Sequence, residues 1–223
     1  MPKKLYFVFN PHSGRAQIKG NLLNIIDTFV KADYDVCVYP TQKKGDATEK
    51  ISKNASCYDL VVASGGDGTL NEAVCGLMNI PKAQRPPLGY IPSGTTNDFA
   101  QSLNIPKNQL DACKNIVKGK EVFVDVGKFS KNYFVYVAAF GAFTDVSYQT
   151  NQQFKNIFGY AAYLMEGLKR VGNIKPIKAK INVEDNFFED EFAFGMVSNT
   201  DYVGGFEVAS KDVSLNDGLL KCF

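Results

Sequence analysis

The stretch LVVASGGDGTLNEAVCGLM, residues 60–78, constrains the fold of this chain more than any other. An apolar run ends at Gly65 and Gly66, Asp67 follows, and an amphipathic pattern begins after Gly68. Leu70, Ala73, Val74, Leu77 and Met78 fall on one helical face. Thr69 and Glu72 have T-x-x-E spacing, which predicts a capping box with the helix opening at the threonine. A buried strand turning into a helix is the unit of an α/β fold with a parallel sheet. The turn lies at the carboxyl end of the strand, where open α/β sheets bind ligands. Its glycines let backbone N–H groups come close to a phosphate. Asp67 runs against that picture, because a bare carboxylate repels phosphate.

Two familiar phosphate loops do not account for the aspartate. No G-x-x-x-x-G-K-[ST] run exists in the chain. A G-x-G-x-x-G fingerprint begun at Gly66 and Gly68 fails at Asn71. Asp67 therefore needs another partner. It can hold Mg²⁺, directly or through water, or it can accept a proton from an attacking hydroxyl. Both uses belong to phosphoryl transfer. A lone Asp-Gly would only brace a turn; the strand, the three glycines and the capping pattern together favour function.

The first half of the chain repeats the strand–helix rhythm. LYFVFN (5–10), DVCVYP (35–40), YDLVVAS (58–64) and LGYIPSG (88–94) read as strands. Ile18, Leu22, Ile25, Ile26, Phe29 and Val30 mark one helix face. GDATEKISKNAS (45–56), TTNDFAQSL (95–103) and NQLDACKNIVKG (108–119) supply further helices. Near residue 120 the rhythm changes. Residues 121–143 read as a hairpin turning at 130–132, 158–171 as an isolated helix, and 177–197 as a second hairpin. The expectation is an α/β N-terminal domain with a parallel sheet, residues 1–122. A mostly antiparallel β domain, residues 123–223, follows it.

Charge and composition exclude several classes. A net charge of +2 gives no basic excess for a nucleic-acid partner. His12 is the single histidine, so a multi-histidine metal site is excluded. The five cysteines form no C-x-x-C pair, which favours reduced, mostly buried thiols in a cytoplasmic protein. The longest apolar stretch, near 133–143, is well short of the roughly 20 residues a membrane helix requires. Any meeting with a membrane is then from the water side.

Two more loops follow strands of the same sheet. NPHSGR (10–15) follows the first strand, and Ser13, Gly14 and Arg15 suit a phosphate. PSGTTNDFA (92–100) follows the fourth strand. Gly94, Thr95 and Thr96 offer N–H groups and hydroxyls, while Asn97 and Asp98 suit local bracing bonds. Each loop alone is a well-capped helix start; three at one sheet edge point to a shared ligand.

NPHSG, SGGDGTLNE and PSGTTNDFA, in this order, resemble the diacylglycerol kinase catalytic family. The resemblance is closest to bacterial soluble lipid kinases, with sphingosine and ceramide kinases as relatives. It extends through VDVGKF (124–129) and SLNDGLL (214–220). The GGDGT loop is shared with NAD kinases and phosphofructokinases, and the α/β domain would share their fold. The PSGTTNDFA segment follows the lipid-kinase pattern.

The resemblance implies ATP and Mg²⁺ as cofactors and a diacylglycerol-like lipid as substrate in phospholipid metabolism. It implies a nucleotide site lined by Asn10, Pro11, Ser13, Gly14, Arg15 and Thr41, by Gly65, Gly66, Gly68, Thr69 and Asn71, and by Thr95 near the phosphates. Asp67 would be the carboxylate essential for transfer, and Asp125 would join a Mg²⁺ and water network. A second, structural Mg²⁺ would be held by Asp217 with backbone oxygens of Ser214 and Leu219; read by itself, Asn216-Asp217-Gly218 is a β-turn. Phe140 and Phe143 would meet acyl chains. The enzyme would act in the cytoplasm, peripheral to the inner face of the membrane, with a homodimer left open and no nucleic-acid partner. Family members continue for several dozen residues that include a glutamate general base, so the β domain reads as incomplete at its C-terminus. Two other readings stay open: a kinase for NAD or another small molecule, and a non-catalytic nucleotide- or lipid-binding module.

Overall fold

The computed structural model describes residues 1–14, 18–141, 176–200, 202–203, 206–207 and 214–223. Two compact units divide the chain. The first comprises Met1–Tyr136 and Asn199–Leu219, the second Val137–Ser198 and Leu220–Phe223. Residue 122, where the sequence suggested a boundary, lies inside the first unit.

The first unit opens with β1 (Lys3–Phe9), α1 (Ile18–Lys31), β2 (Tyr34–Pro40), α2 (Asp46–Asn54) and β3 (Leu60–Gly65). It continues with α3 (Asp67–Met78), β4 (Leu88–Pro92), α4 (Asp98–Ser102) and α5 (Gln109–Lys118). The four strands form one all-parallel sheet in the order β2-β1-β3-β4. Successive side chains of a strand point to opposite faces, and here both faces are covered. Leu5, Phe7 and Phe9 pack with Ile18, Ile25 and Phe29 of α1 and with Ala112 and Cys113 of α5. Tyr6 and Val8 pack with Ala47 and Ile51 of α2 and with Ala73 and Leu77 of α3. This is why β1 reads as an unbroken apolar run instead of an alternation. Burying a side chain such as Phe7, fully enclosed here, contributes on the order of 2 kcal/mol.

The strand order also fixes where a ligand can sit. β1 and β3 are neighbours, yet α1 packs on one face of the sheet and α3 on the other. The helices that follow these two strands thus run to opposite faces, which makes the carboxyl edge between β1 and β3 the switch point of the sheet. In α/β sheets this switch point is the ligand site.

The first unit continues into a hairpin of β5 (Gly127–Phe129) and β6 (Asn132–Phe134), turning at 130–131 with Ser130 at φ 57°. Residues 121–126, expected as the start of this hairpin, form no strand. The Asp125 N–H and C=O are taken by the Leu215 carbonyl and the Asn199 side chain, so no strand can pair there. The second unit carries β7 (Val137–Gly141), β8 (Ile177–Val183), β9 (Asn186–Phe192) and β10 (Phe194–Ser198). The chain then returns to the first unit with the paired β11 (Tyr202–Val203) and β12 (Phe206–Glu207). It ends in the second unit with β13 (Lys221–Cys222). All strand pairs beyond the parallel sheet are antiparallel among the described residues. β8 and β9 carry exposed Lys178–Glu191 and Lys180–Glu189 ion pairs, a kind that adds little stability.

Phe140 of β7 lies across from Gly195 of β10, and a Cβ on that glycine would strike its ring. Phe143 and the helix expected over 158–171 lie outside the described residues. The cysteines correct the sequence reading. Only Cys113 is buried and Cys75 is partly so, while Cys37, Cys57 and Cys222 are exposed, and all five are free. Cys37 follows from topology: β2 is an edge strand, and Asp35 and Cys37 share its water-facing side. No described helix is long and apolar enough to cross a membrane.

Candidate active site

Three loops meet at the carboxyl edge of the parallel sheet. Gly14 follows β1 at φ +55°, and a Cβ there would strike the Ser93 carbonyl oxygen. Gly94 follows β4, and a Cβ there would lie 2.5 Å from Gly66 Cα, after β3. Such approaches exclude any side chain. Ser13, buried, reaches the same point, with its Oγ 3.8 Å from where a Gly66 Cβ would be. The Asn10 N–H donates to the Ser64 carbonyl at 2.9 Å, and Ser64 Oγ meets Ser93 Oγ at 3.4 Å. Sequence segments roughly 30 to 50 residues apart thus form one backbone-lined surface.

The helix after the glycine turn begins earlier than expected. α3 opens at Asp67, with Gly66 as an extended N-cap that supplies no side-chain bond. The Thr69–Glu72 capping box does not form. Thr69 is buried inside the first turn against Gly65, and Glu72 Oε1 accepts instead from the Gly45 N–H at 2.8 Å. Gly66 therefore offers the first turn of α3 no side-chain acceptor, which suits an anion at the N–H groups beyond that of Asp67.

Asp67 turns toward the start of α4. Its Oδ1 accepts from the Phe99 N–H at 3.5 Å, and the N–H groups of Asp67 and Asp98 also favour its charged form. Burial and the neighbouring negative charge of Asp98 outweigh these donors and raise the carboxyl above its ordinary value. Asp98 is itself buried, with Oδ2 accepting from the Tyr136 hydroxyl at 2.6 Å. Asn97 sits in the left-handed region at φ 54°, accepts from the Gly94 N–H at 2.8 Å and donates to the Gly94 carbonyl at 2.9 Å. The expected bracing role is thus seen for Asn97, whereas Asp98 faces Asp67. Burial and Asp67 also push the Tyr90 phenol up. Two neighbouring carboxylates, Asp67 and Asp98, beside a phosphate-type turn are a donor set that would fit a hard divalent cation, which takes one or two carboxylates along with substrate phosphates.

Asp125 lies in a second constellation of the first unit. Its Oδ2 accepts from the Gly218 N–H at 2.7 Å, and its own N–H donates to the Leu215 carbonyl at 2.7 Å. In the 214–219 turn, Asp217 Oδ1 accepts from the Leu219 N–H at 3.0 Å and Ser214 Oγ donates to Asn216 Oδ1 at 2.8 Å. Ser214, Asp217 and Leu219 therefore share one turn, and that turn is tied to Asp125. No group of three or more acidic, cysteine or histidine side chains with metal-holding geometry occurs among the described residues.

The remaining expected residues separate. Asn10 Oδ1 accepts from the His12 N–H at 2.9 Å, closing the loop that carries partly buried Pro11. The Thr41 N–H donates to the Phe9 carbonyl at 2.9 Å, placing Thr41 at the same sheet edge. Thr95 and Gly68 are exposed. Asn71 turns along α3, with Nδ2 3.8 Å from Cys75 Sγ. Arg15 lies outside the described residues. The sequence reading passed over Asp46, Tyr136 and Asn199. Asp46 is buried and accepts from the Gln42 N–H at 2.8 Å and the Tyr39 hydroxyl at 3.1 Å. Its one visible signal was its position directly after Gly45, at a helix start.

Comparison with known proteins agrees with this architecture. The diacylglycerol kinase catalytic domain model matches residues 4–129. A diacylglycerol kinase of Staphylococcus epidermidis is 38% identical over 219 residues, covering 98% of this chain and 69% of the relative. One from Bacillus subtilis is 36% identical over 219 residues, covering 97% of this chain and 72% of the relative. The crystal structure of a diacylglycerol kinase from Bacillus anthracis superposes with a TM-score of 0.78 at 31% identity, covering 100% of this chain and 73% of that one.

Fold, loops and relatives together define a lipid kinase. The chain belongs to the diacylglycerol kinase catalytic domain family.

Proposed function

We propose that this lipid kinase transfers the γ-phosphate of ATP to the free hydroxyl of a diacylglycerol or a similar lipid. The reading is carried by one observation: Gly14, Gly66 and Gly94 converge at the sheet's switch point beside the raised Asp67 carboxyl. The named relatives, all diacylglycerol kinases, support the same substrate class. Asn10, Pro11, Ser13, Gly14 and Thr41, with the uncapped first turn of α3 and Thr95, would bind the nucleotide. Asp67 and Asp98 would hold Mg²⁺, and the bound ion would neutralise phosphate charge as it develops. The work of this chain is positioning. Backbone N–H groups orient the phosphates, and the glycine contacts leave no room for a side chain where the three loops meet.

Asp125 joins this reading as a third carboxylate of the transfer site. Ser214, Asp217 and Leu219 are assigned to a separate structural cation on the resemblance alone. The division of labour we propose gives nucleotide binding to residues 1–122 and the lipid to the β-rich remainder. A lipid acceptor places the enzyme at a membrane surface, as a peripheral protein of the cytoplasm.

The test is transfer of radiolabelled phosphate from ATP to a panel of acceptors, using full-length protein with Mg²⁺. Labelled phosphatidic acid from diacylglycerol in detergent micelles is the expected product. Labelled NADP from NAD, with no labelled lipid, would replace the reading with a soluble-substrate kinase. ATP binding without labelled product from any acceptor would make the chain a binding module.

A further inference from the structure

Asn199 is 1% exposed, and its side chain is used one-sidedly. Its Nδ2 donates to the Asp125 carbonyl at 2.8 Å and to the Val135 carbonyl at 3.3 Å. Its backbone N–H donates to the Tyr136 carbonyl at 3.0 Å. Its Oδ1, by contrast, has no hydrogen-bond partner among the described residues. A buried acceptor without a partner is unfavourable, so the amide is kept here for what its donors do. They join the segment before β5 to the end of β6, at the residue whose carboxylate holds the 214–219 turn.

Asp125 is thereby fixed at three points. Leu215 takes its N–H, Asn199 takes its C=O, and Gly218 donates to its Oδ2. The segment around it is not a strand and has no ladder of its own. Val122 and Phe123, just before it, are exposed, whereas Val124 and Val126 on either side pack partly buried against Leu70, Val74, Tyr90 and Phe99; packing anchors the flanks, and the three hydrogen bonds set the Asp125 peptide and carboxylate between them. Of the three ties, only the Asn199 amide comes from a buried side chain. The other two are backbone groups of a partly exposed turn.

We propose that Asn199 is a positioning residue that orients Asp125, acting through its Nδ2 and touching neither nucleotide nor lipid. The proposal rests on the reading of Asp125 as part of the transfer site. Without the Nδ2 donor, the Asp125 backbone loses its register, and the carboxylate and the 214–219 turn separate more readily.

Two measurements on the full chain test it. Amide hydrogen exchange compares wild type with Asn199→Ala. Exchange at Gly218 and Asp125 is expected to quicken about tenfold, with Val62 in the parallel sheet unchanged. A kinetic cycle pairs Asn199→Ala with Asp125→Asn. Asn199→Ala alone is expected to lower kcat about 10- to 100-fold with KM for ATP within about twofold. In the Asp125→Asn background it should cause no further loss. Unchanged exchange at Gly218, or losses that multiply in the double variant, would overturn the proposal. Full turnover in Asp125→Asn would instead overturn the role of Asp125, leaving the exchange result to decide the positioning. Where the alanine variant does not fold, Asn199→Ser, which keeps one donor, takes its place with a smaller expected effect.

Discussion

The Phe99 N–H, at the start of α4, donates to Asp67 Oδ1, at the start of α3. Two loops that follow different strands are thus joined through one carboxylate. That carboxylate also meets the charge of Asp98 one residue before Phe99, and the opposing effects leave its proton more tightly held than usual. The sequence posed an aspartate where a phosphate was expected. In the fold, the group sits beside the phosphate-type turn with backbone donors of its own, and a second carboxylate makes a cation the fitting third partner.

The raised Asp67 pKa has a consequence for stability. The folded protein holds this proton more tightly than the unfolded chain, whose value is near 3.8. The resulting stability is fully present below 3.8 and is lost as pH rises through the higher folded value. Asp67→Asn should therefore raise the melting temperature of the nucleotide-free protein at pH 7, with the gain shrinking on acidification to below 3.8. Melting temperatures across that range check this; a loss at pH 7, or a gain independent of pH, would contradict it.

Gly94→Ala should destabilise the protein by roughly 1–3 kcal/mol, because its Cβ would meet Gly66 Cα at 2.5 Å. Gly68→Ala is the contrasting substitution. Nothing lies within 4 Å of a Cβ there, and the residue is inside α3, so a gain of about 0.5–1 kcal/mol is expected. Urea denaturation midpoints of the two variants should move in opposite directions. A common direction would mean that the Gly66–Gly94 approach does not set the loop geometry.

Tyr136→Phe removes the hydroxyl that donates to buried Asp98 at 2.6 Å. Leaving a buried carboxylate oxygen without that donor should cost about 1–3 kcal/mol. The denaturation midpoint should fall with an unchanged slope. An unchanged midpoint would show that water replaces the phenol at no cost.

The sheet and its helices were legible because their signals are local. Leu5, Phe7 and Phe9 announce a strand buried on both faces, and Ile18, Ile25 and Phe29 announce one helix face. The convergence of the three glycine loops followed from their shared place after strands. The helix start was misread for a physical reason: Thr69 and Glu72 have the spacing of a cap, yet tertiary partners claim both. Thr69 is drawn into the contact with Gly65, and Glu72 into the bond with Gly45. The tie between Asp125 and Gly218 spans 93 residues and uses a backbone donor, so no side chain marks it in the sequence. Asn199 likewise follows an ordinary strand and differs from a surface asparagine only by burial, which composition does not encode.

The central claim is that the Asp67 carboxylate serves phosphate transfer from a nucleotide held by the turn around it. The most direct measurement pairs lipid phosphorylation with calorimetric binding of metal-free ATP in Asp67→Asn. Removing a negative charge beside the phosphates should leave that binding equal or tighter, while transfer falls by roughly 100-fold or more. Wild-type turnover in Asp67→Asn, or ATP binding lost along with activity, would contradict the account.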